Sequence, residues 1–130
     1  MEQTQMACRG IRGAITVPSP SDADVRKAVR ELLDAIGHAN GCDTDDVAAL
    51  IFTVPDDLPR INPAAAARDC GWTAVPLLMV REHGGDERVA RCLRALVLWN
   101  TTKEQNEIQH VYLRGAGVRR PDLQPSEASK

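Results

Sequence analysis

Apolar residues recur along this chain with two different periods. Between positions 25 and 36 they return every three or four residues, which is the spacing of one buried helix face: Val25, Ala28, Val29, Leu32, Leu33 and Ile36. Ser21, just before this pattern, is a candidate N-cap, and Asp24 lies three residues after Ser21. The "NG" at 40–41 is a stop signal for the helix. The pattern therefore predicts one amphipathic helix.

Five other apolar runs have the length and composition of strands. They are "CRGIRGAITV" (8–17), "VAALIFTV" (47–54), "WTAVPLLMV" (72–80), "RCLRALVLWNT" (91–101) and "IQHVYL" (108–113). A second, short helix is predicted in "NPAAAARDCG", where Asn62 is the N-cap, Pro63 takes the first helical position and Gly71 follows the end. We expect residues 1–130 to form one domain, with a tail at about 121–130 that frays.

Composition and charge narrow the kind of partner. The chain carries a net charge of -2 and only 3% aromatic residues, whereas a nucleic-acid-binding surface is basic and often offers stacking platforms. No apolar run is long enough to span a bilayer, and "MEQTQMACRG" lacks the basic and apolar regions of a secretory signal, so we expect a cytoplasmic protein. A small molecule is therefore favoured over nucleic acid or a membrane as the partner.

The cysteines give no sign of a metal site. Cys8, Cys42, Cys70 and Cys92 lack the close paired spacing of metal ligands. In a reducing compartment they are expected to be free and buried thiols.

Two arginines interrupt otherwise apolar strands, and Arg12 is the first. Alternation along the first predicted strand places Arg12 on a face of small residues: Cys8, Gly10, Ala14 and Thr16. Such neighbours leave space beside the guanidinium, which suits an anionic ligand held by its fork of donors. An edge-strand arginine lying in water is the simpler alternative, and this stretch alone does not decide between them.

Arg94 is the second of these arginines, because "CLRALVLW" is otherwise apolar. Alternation places it on one face with Cys92, Leu96 and Leu98. A guanidinium buried without a partner is strongly destabilising, so Glu82 or an anionic ligand is expected to neutralise it. A structural ion pair with Glu82 inside the core is the alternative that involves no ligand.

Arg68 and Tyr112 are weaker candidates. Arg68 lies four residues after Ala64 in the second predicted helix, where a solvated surface arginine is the default. Tyr112 is the only tyrosine, and it could simply pack with its hydroxyl in water. Neither residue indicates a function by itself.

Taken in order, these stretches resemble one family, the AroH-class chorismate mutases of bacteria. The resemblance runs from about Arg9 to Leu123 and is carried by "RGIRGAITV", "IFTV" with "DL" at 57–58, "PAAAAR" with "GW" and "VPL", Glu82, "RALVLWNT", "HVYL" and "RPDL". No single motif is diagnostic, whereas the ordered set is specific. The resemblance implies an isomerase that converts chorismate to prephenate and uses neither cofactor nor metal.

The resemblance also implies a fold and an assembly. The expected fold is α+β, with a mixed β-sheet that carries its helices on one face, as in the Bacillus-type chorismate mutase. The expected assembly is a homotrimer with a barrel-like core, whose active sites lie in clefts between neighbouring subunits.

By the same resemblance, the catalytic residues are Arg94, Glu82 and Arg12. Arg94 would contact the ether oxygen and a carboxylate of chorismate, and Glu82 would accept from the ring hydroxyl. Arg12 and Tyr112 would bind the enolpyruvyl carboxylate. The ring carboxylate and the rest of the substrate would meet Arg68, Arg120, Asn62, Ala64, Leu77, Leu78 and Met79.

Four positions depart from the family pattern. Asn62 stands where many members have Phe, Ala65 replaces a frequent lysine, Met79 stands where Cys or Ser is usual, and Arg119 replaces a usual Leu. A thioether cannot donate to a hydroxyl, whereas Asn62 has an alternative role as a helix cap. These departures bear on substrate preference more than on the catalytic charges.

Two other functions remain compatible with the sequence. An enzyme of the same fold could act on a related enolpyruvyl compound such as 4-amino-4-deoxychorismate, and Asn62 and Met79 are the motive for that hypothesis. A trimer without activity could instead bind a metabolite in its intersubunit clefts. Arg94 argues against the second alternative, since binding alone has no need for a cation at the ether oxygen.

Overall fold

The structure, a computed structural model, describes residues 5–58, 61–83 and 89–118. Its helices are α1 (Asp22–Asn40) and α2 (Pro63–Asp69), and its strands are β1 (Ala7–Thr16), β2 (Val47–Val54), β3 (Leu77–Arg81), β4 (Cys92–Thr101) and β5 (Val111–Leu113). Short 3-10 turns cover Thr44–Asp46, Gln105–Glu107 and Arg114–Val118. The expected α+β class is confirmed.

The strands form one mixed sheet in the order β3-β2-β4-β1-β5. β4 lies antiparallel to β1 and β2, whereas β5 is parallel to β1 and β3 is parallel to β2. A parallel pair needs a crossover connection, and α2 lies in the connection from β2 to β3.

Both helices begin at the predicted caps. The Ser21 hydroxyl accepts from the Asp24 N–H at the start of α1, and Gly41 ends this helix in the left-handed region with a φ of 65°. In α2, the Asn62 side chain accepts from the Ala65 N–H at 3.1 Å. Because these signals are local, the sequence predicts both helices well.

The two faces of the sheet differ in what covers them. One face forms the main core with α1 and α2, through strand residues such as Ile11, Phe52 and Leu93. The helices therefore lie on one face, as expected. The opposite face holds a smaller cluster formed by Ala14, Val89, Cys92, Tyr112 and Ala116.

At Gly13, α1 approaches β1 too closely for a side chain. A Cβ there would lie 2.7 Å from Cδ1 of Ile36 and 3.1 Å from Cδ1 of Leu32. We expect Gly13→Ala to lower the free energy of unfolding by about 1–2 kcal/mol, because an overpacked core must shift. Chemical denaturation measures this change, with Gly10→Ala as the control because its Cβ would meet Leu96 at an ordinary 3.5 Å. Equal stability of the two variants would contradict the close approach.

The outer edge of β1 is paired mainly by side chains, because β5 covers only residues 13–15. The Gln105 amide exchanges two hydrogen bonds with the backbone of Gly10, at 2.8 and 3.0 Å. The backbone N–H of Arg12 donates to Nδ1 of His110 at 2.9 Å. These contacts hold β1 at Arg12 and at Gly10, two residues before it.

Two predicted strands are shorter than the sequence indicates. Only residues 77–81 pair as β3, whereas 72–76 form a loop with Trp72 and Val75 buried in the core. Likewise only 111–113 pair as β5, and Ile108 is buried ahead of them. In both segments the apolar pattern reflects burial rather than strand pairing, and periodicity does not separate the two.

The cysteines are thiols and not disulfides, as expected, but they are not all buried. Cys92 is buried and Cys42 and Cys70 are half-buried, whereas Cys8 is exposed near the start of β1. Burial, with nearby acidic side chains, raises the pKa of the Cys42 thiol to about 11. This thiol is therefore protonated at neutral pH and a poor nucleophile.

Several expectations concern residues outside the described ranges. Arg119, Arg120 and the predicted tail at 121–130 are among them. Among the described residues, no helix combines the length and apolar character needed to cross a membrane. In the same ranges, no group of His, Cys, Asp and Glu side chains could hold a metal ion.

Candidate functional site

A cleft of about 440 Å³ opens on the sheet face opposite α1 and α2. Polar residues from four different strands line it: Arg12 from β1, Thr53 from β2, Arg94 from β4 and Tyr112 from β5. The cleft is also lined by Gly13, Ile51, Ala95 and Leu96. Three of the residues singled out from the sequence are thus brought together in one chain.

Strand register explains why these side chains meet. Residues that pair across neighbouring strands point to the same face of a sheet. Ala14 pairs with Arg94 on one side and with Tyr112 on the other. Arg12, two positions from Ala14, therefore shares their face, as strand alternation predicts.

Glu82 is the partner of Arg94. The Arg94 Nε donates to Oε1 at 3.1 Å, and Nη2 lies 3.0 Å from Oε2, so both carboxylate oxygens are engaged by one edge of the guanidinium. The Glu82 side chain is 10% exposed and that of Arg94 is 32% exposed. Arg94 therefore lines the cleft, whereas Glu82 lies behind it, more deeply buried and outside the cleft lining.

Thr53 is the polar cleft residue that the sequence reasoning missed. It pairs with Arg94 across β2 and β4, and its hydroxyl donates to Oε1 of Glu82 at 2.7 Å. The available signal was a single polar residue on the cleft face of an otherwise apolar strand. A threonine in a strand is common, however, so this signal is weak.

Tyr112 is held more deeply than Arg12. It is 5% exposed and belongs to the smaller cluster with Ala14 and Cys92. Arg12 is half-buried, and its backbone is fixed through His110. The cleft thus combines a packed aromatic side chain with two arginines on adjoining strands.

Within the described ranges, the other expected substrate-binding residues do not line this cleft. Met79 pairs with Phe52 and Leu77 with Leu50, so both belong to the face that packs against the helices. Arg68 is exposed on α2, which packs on that same face. The remaining described residues of this group are Asn62, the N-cap of α2, Ala64 on α2 and Leu78 on β3.

The edge strand β3 exposes apolar side chains on both faces. Leu78 and Val80 are 58% and 40% exposed, and they share the cleft face because they pair with Ile51 and Thr53. Met79, on the other face, is 41% exposed. Clustered apolar exposure along an edge strand is typical of an interaction surface.

Comparisons with known proteins agree on one family. Residues 8–123 match the family described as chorismate mutase type I. The chain is 46% identical to a chorismate mutase AroH of Thermus thermophilus over 120 residues, which is 92% of this chain and 98% of the relative. It is 34% identical to a chorismate mutase AroH of Bacillus subtilis over 119 residues, 91% of this chain and 94% of the relative. A solved chorismate mutase from Clostridium thermocellum superimposes with a TM-score of 0.80 at 38% identity, over 84% of this chain and 97% of that one.

Proposed function

Because the chain belongs to the chorismate mutase type I family, we propose that its cleft is the active site in which chorismate rearranges to prephenate. The chain is an isomerase of this class. The observation that carries the assignment of the site is that Arg94, held by Glu82, lines one cleft together with Arg12 and Tyr112.

The reaction needs placement and charge rather than a nucleophile. The ether C–O bond breaks as a new C–C bond forms in one concerted [3,3] step. A site that holds the enolpyruvyl arm over the ring removes the conformational cost that the extended dianion meets in water. A fixed cation beside the ether oxygen stabilises the negative charge that grows there. Two arginines at one cleft are suited to both tasks.

Arg94 takes the ether oxygen in this proposal. Its Nε and Nη2 atoms bind Glu82, so its Nη1 edge is the one that would meet the substrate. Glu82 aligns the guanidinium before substrate arrives, which limits the reorganisation needed as charge develops. Glu82 would also accept from the ring hydroxyl.

Arg12 and Tyr112 bind the enolpyruvyl carboxylate in this proposal. They reach the cleft from the adjoining strands β1 and β5, whose pairing fixes their separation. A guanidinium and a phenol hydroxyl can donate to the same carboxylate.

We further propose that a homotrimer completes the site between subunits. Arg68 and Met79, which the family resemblance assigns to the substrate, do not line the cleft of their own chain. Exposed Leu78 and Val80 beside the cleft would meet a neighbour, whose α2 and β3 would then bring Arg68 to the ring carboxylate. The cysteine thiols fit a cytoplasmic protein, and the family match from 8 to 123 supports a single domain.

The activity is tested directly by the loss of chorismate absorbance in the ultraviolet with purified protein, followed by identification of the product. We expect prephenate to accumulate as chorismate disappears. Binding of chorismate without turnover would contradict the proposal. Turnover of 4-amino-4-deoxychorismate but not of chorismate would also contradict it.

Mixed trimers test the shared site. Chains carrying Arg94→Ala and chains carrying Arg68→Ala, each expected to be nearly inactive alone, are unfolded together and refolded at equal concentrations. If each site combines the cleft of one chain with Arg68 of another, random mixing restores about one quarter of wild-type activity per site.

The matched control is a mixture of Arg12→Ala and Arg94→Ala chains. Both residues line the cleft of a single chain, so this mixture is expected to stay inactive. No recovery in the Arg68 mixture, or a fully active monomer by sedimentation, would contradict the intersubunit site.

A further inference from the structure

We propose that Thr53 is a positioning residue that holds Glu82, and through it Arg94, in the geometry that the rearrangement uses. This inference rests on the proposed function of the cleft. It assigns a role to a hydroxyl that the family resemblance leaves without one.

Strand order places this hydroxyl between Glu82 and Arg94. Glu82 follows β3 and its backbone N–H donates to the Val54 carbonyl at 2.9 Å, so its backbone stays on the outer side of β2. Arg94 lies on β4, on the other side of β2. Neighbouring strands are about 4.8 Å apart, so the backbones of Glu82 and Arg94 are about 10 Å apart, and the two side chains meet over β2, which lies between them.

Thr53 lies on β2, the strand between the backbones of Glu82 and Arg94. Thr53 pairs with Val80 in β3 and with Arg94 in β4. It therefore lies between the backbone of Glu82 and the backbone of Arg94. A carboxylate only accepts, so the Thr53 hydroxyl must be the donor in the 2.7 Å contact with Oε1. A β-branched side chain has few rotamers in a strand, and this donor is therefore held in place by its own backbone.

The contact fixes the orientation of the carboxylate. Oε1 accepts from both Thr53 and the Arg94 Nε, while Oε2 meets Nη2. Two donors from two strands at one oxygen leave the carboxylate little freedom to rotate. Without Thr53, the carboxylate can turn toward water and pull the guanidinium edge with it, which misplaces the cation by an amount that matters for catalysis.

The test compares wild-type protein with Thr53→Val and Thr53→Ser. Valine keeps the shape and removes the donor, so we expect kcat to fall about tenfold with less than about a threefold change in KM, because the loss is felt mainly in the transition state. Serine keeps the hydroxyl and is expected to restore most of kcat. Thr101→Val, which removes a buried hydroxyl elsewhere on β4, is the matched control and is expected to leave kcat unchanged.

A double-mutant cycle with Glu82→Gln shows whether Thr53 acts through Glu82. We expect the effect of Thr53→Val to shrink when it is combined with Glu82→Gln, since a neutral amide no longer holds the guanidinium as the carboxylate does. The ¹⁵N signal of the Arg94 Nε, assigned by its loss in Arg94→Lys, is expected to shift in Thr53→Val. This signal reports on the same contact independently of any activity measurement.

Three results would overturn the inference while the proposed function stands. They are a wild-type kcat in Thr53→Val, an equal loss in the serine and valine variants, or an effect of Thr53→Val that is undiminished beside Glu82→Gln. An inactive wild-type protein would instead contradict the function itself, so the two failures are distinguishable.

Discussion

Replacement of Arg94 by lysine is expected to lower kcat about a hundredfold or more while changing thermal stability little. Removing one preorganised electrostatic contact to a developing charge typically costs this much. Lysine retains the charge but lacks the planar fork that binds both oxygens of Glu82 and still presents a second edge to the cleft. Steady-state kinetics and a melting curve measure the two effects on the same preparation.

The control for this variant is Arg26→Lys. Arg26 also pairs with carboxylates, those of Asp22 and Asp69, but it lies on the exposed side of α1, away from the cleft. Its replacement is expected to leave kcat unchanged. Near-normal turnover of Arg94→Lys together with a large fall in Tm would instead show that the Arg94–Glu82 pair is structural.

Asn40→Ala is expected to give the largest loss of stability among the variants considered, about 3 kcal/mol. The Asn40 side chain is buried and donates to the carbonyls of Ile36 and Gln109, both at 3.0 Å, and accepts from the Gln109 N–H at 2.8 Å. Alanine removes the side-chain partner of both the Gln109 carbonyl and the Gln109 N–H in the segment before β5, whereas the Ile36 carbonyl keeps its place in the hydrogen bonding of α1. In a domain of this size the loss corresponds to a fall in Tm of roughly 10 °C.

Melting curves at a fixed protein concentration test this result, because assembly makes Tm depend on concentration. Asn106→Ala removes the same chemical group from an exposed position and is expected to shift Tm by no more than about 2 °C. Comparable Tm values for the two variants would contradict the role assigned to Asn40.

Local signals made the helices predictable, whereas contacts between distant segments did not. The caps at Ser21 and Asn62 act within three residues, so sequence alone places both helix starts. Asn40 was interpreted from sequence only as part of a stop signal. Its hydrogen bonds to Gln109 join residues 69 positions apart, and no local pattern encodes them.

The candidate site is predictable from the sequence only where it depends on local patterns. Alternation along β1 and β4 predicts the faces on which the Arg12 and Arg94 side chains lie. The strand order of the sheet then brings Tyr112 to the same cleft. The loop at 72–76 was interpreted as strand because buried loops and strands are both apolar. The role of Thr53 is not predictable from the sequence, because it depends on β2 lying between β3 and β4, which is a property of topology and not of spacing.

The parallel pairing of β5 with β1 also sets the time at which the cleft can form. The contact between Arg12 and His110 joins residues 98 positions apart. Such long-range contacts form late in folding, because the chain must lose the conformational entropy of the loop before the contact stabilises it. During synthesis, β1, β2 and β4 leave the ribosome before the segment that carries Tyr112. A chain that ends before residue 110 therefore carries Arg12 and Arg94 but lacks both Tyr112 and the His110 contact to the backbone of Arg12, so its cleft is incomplete.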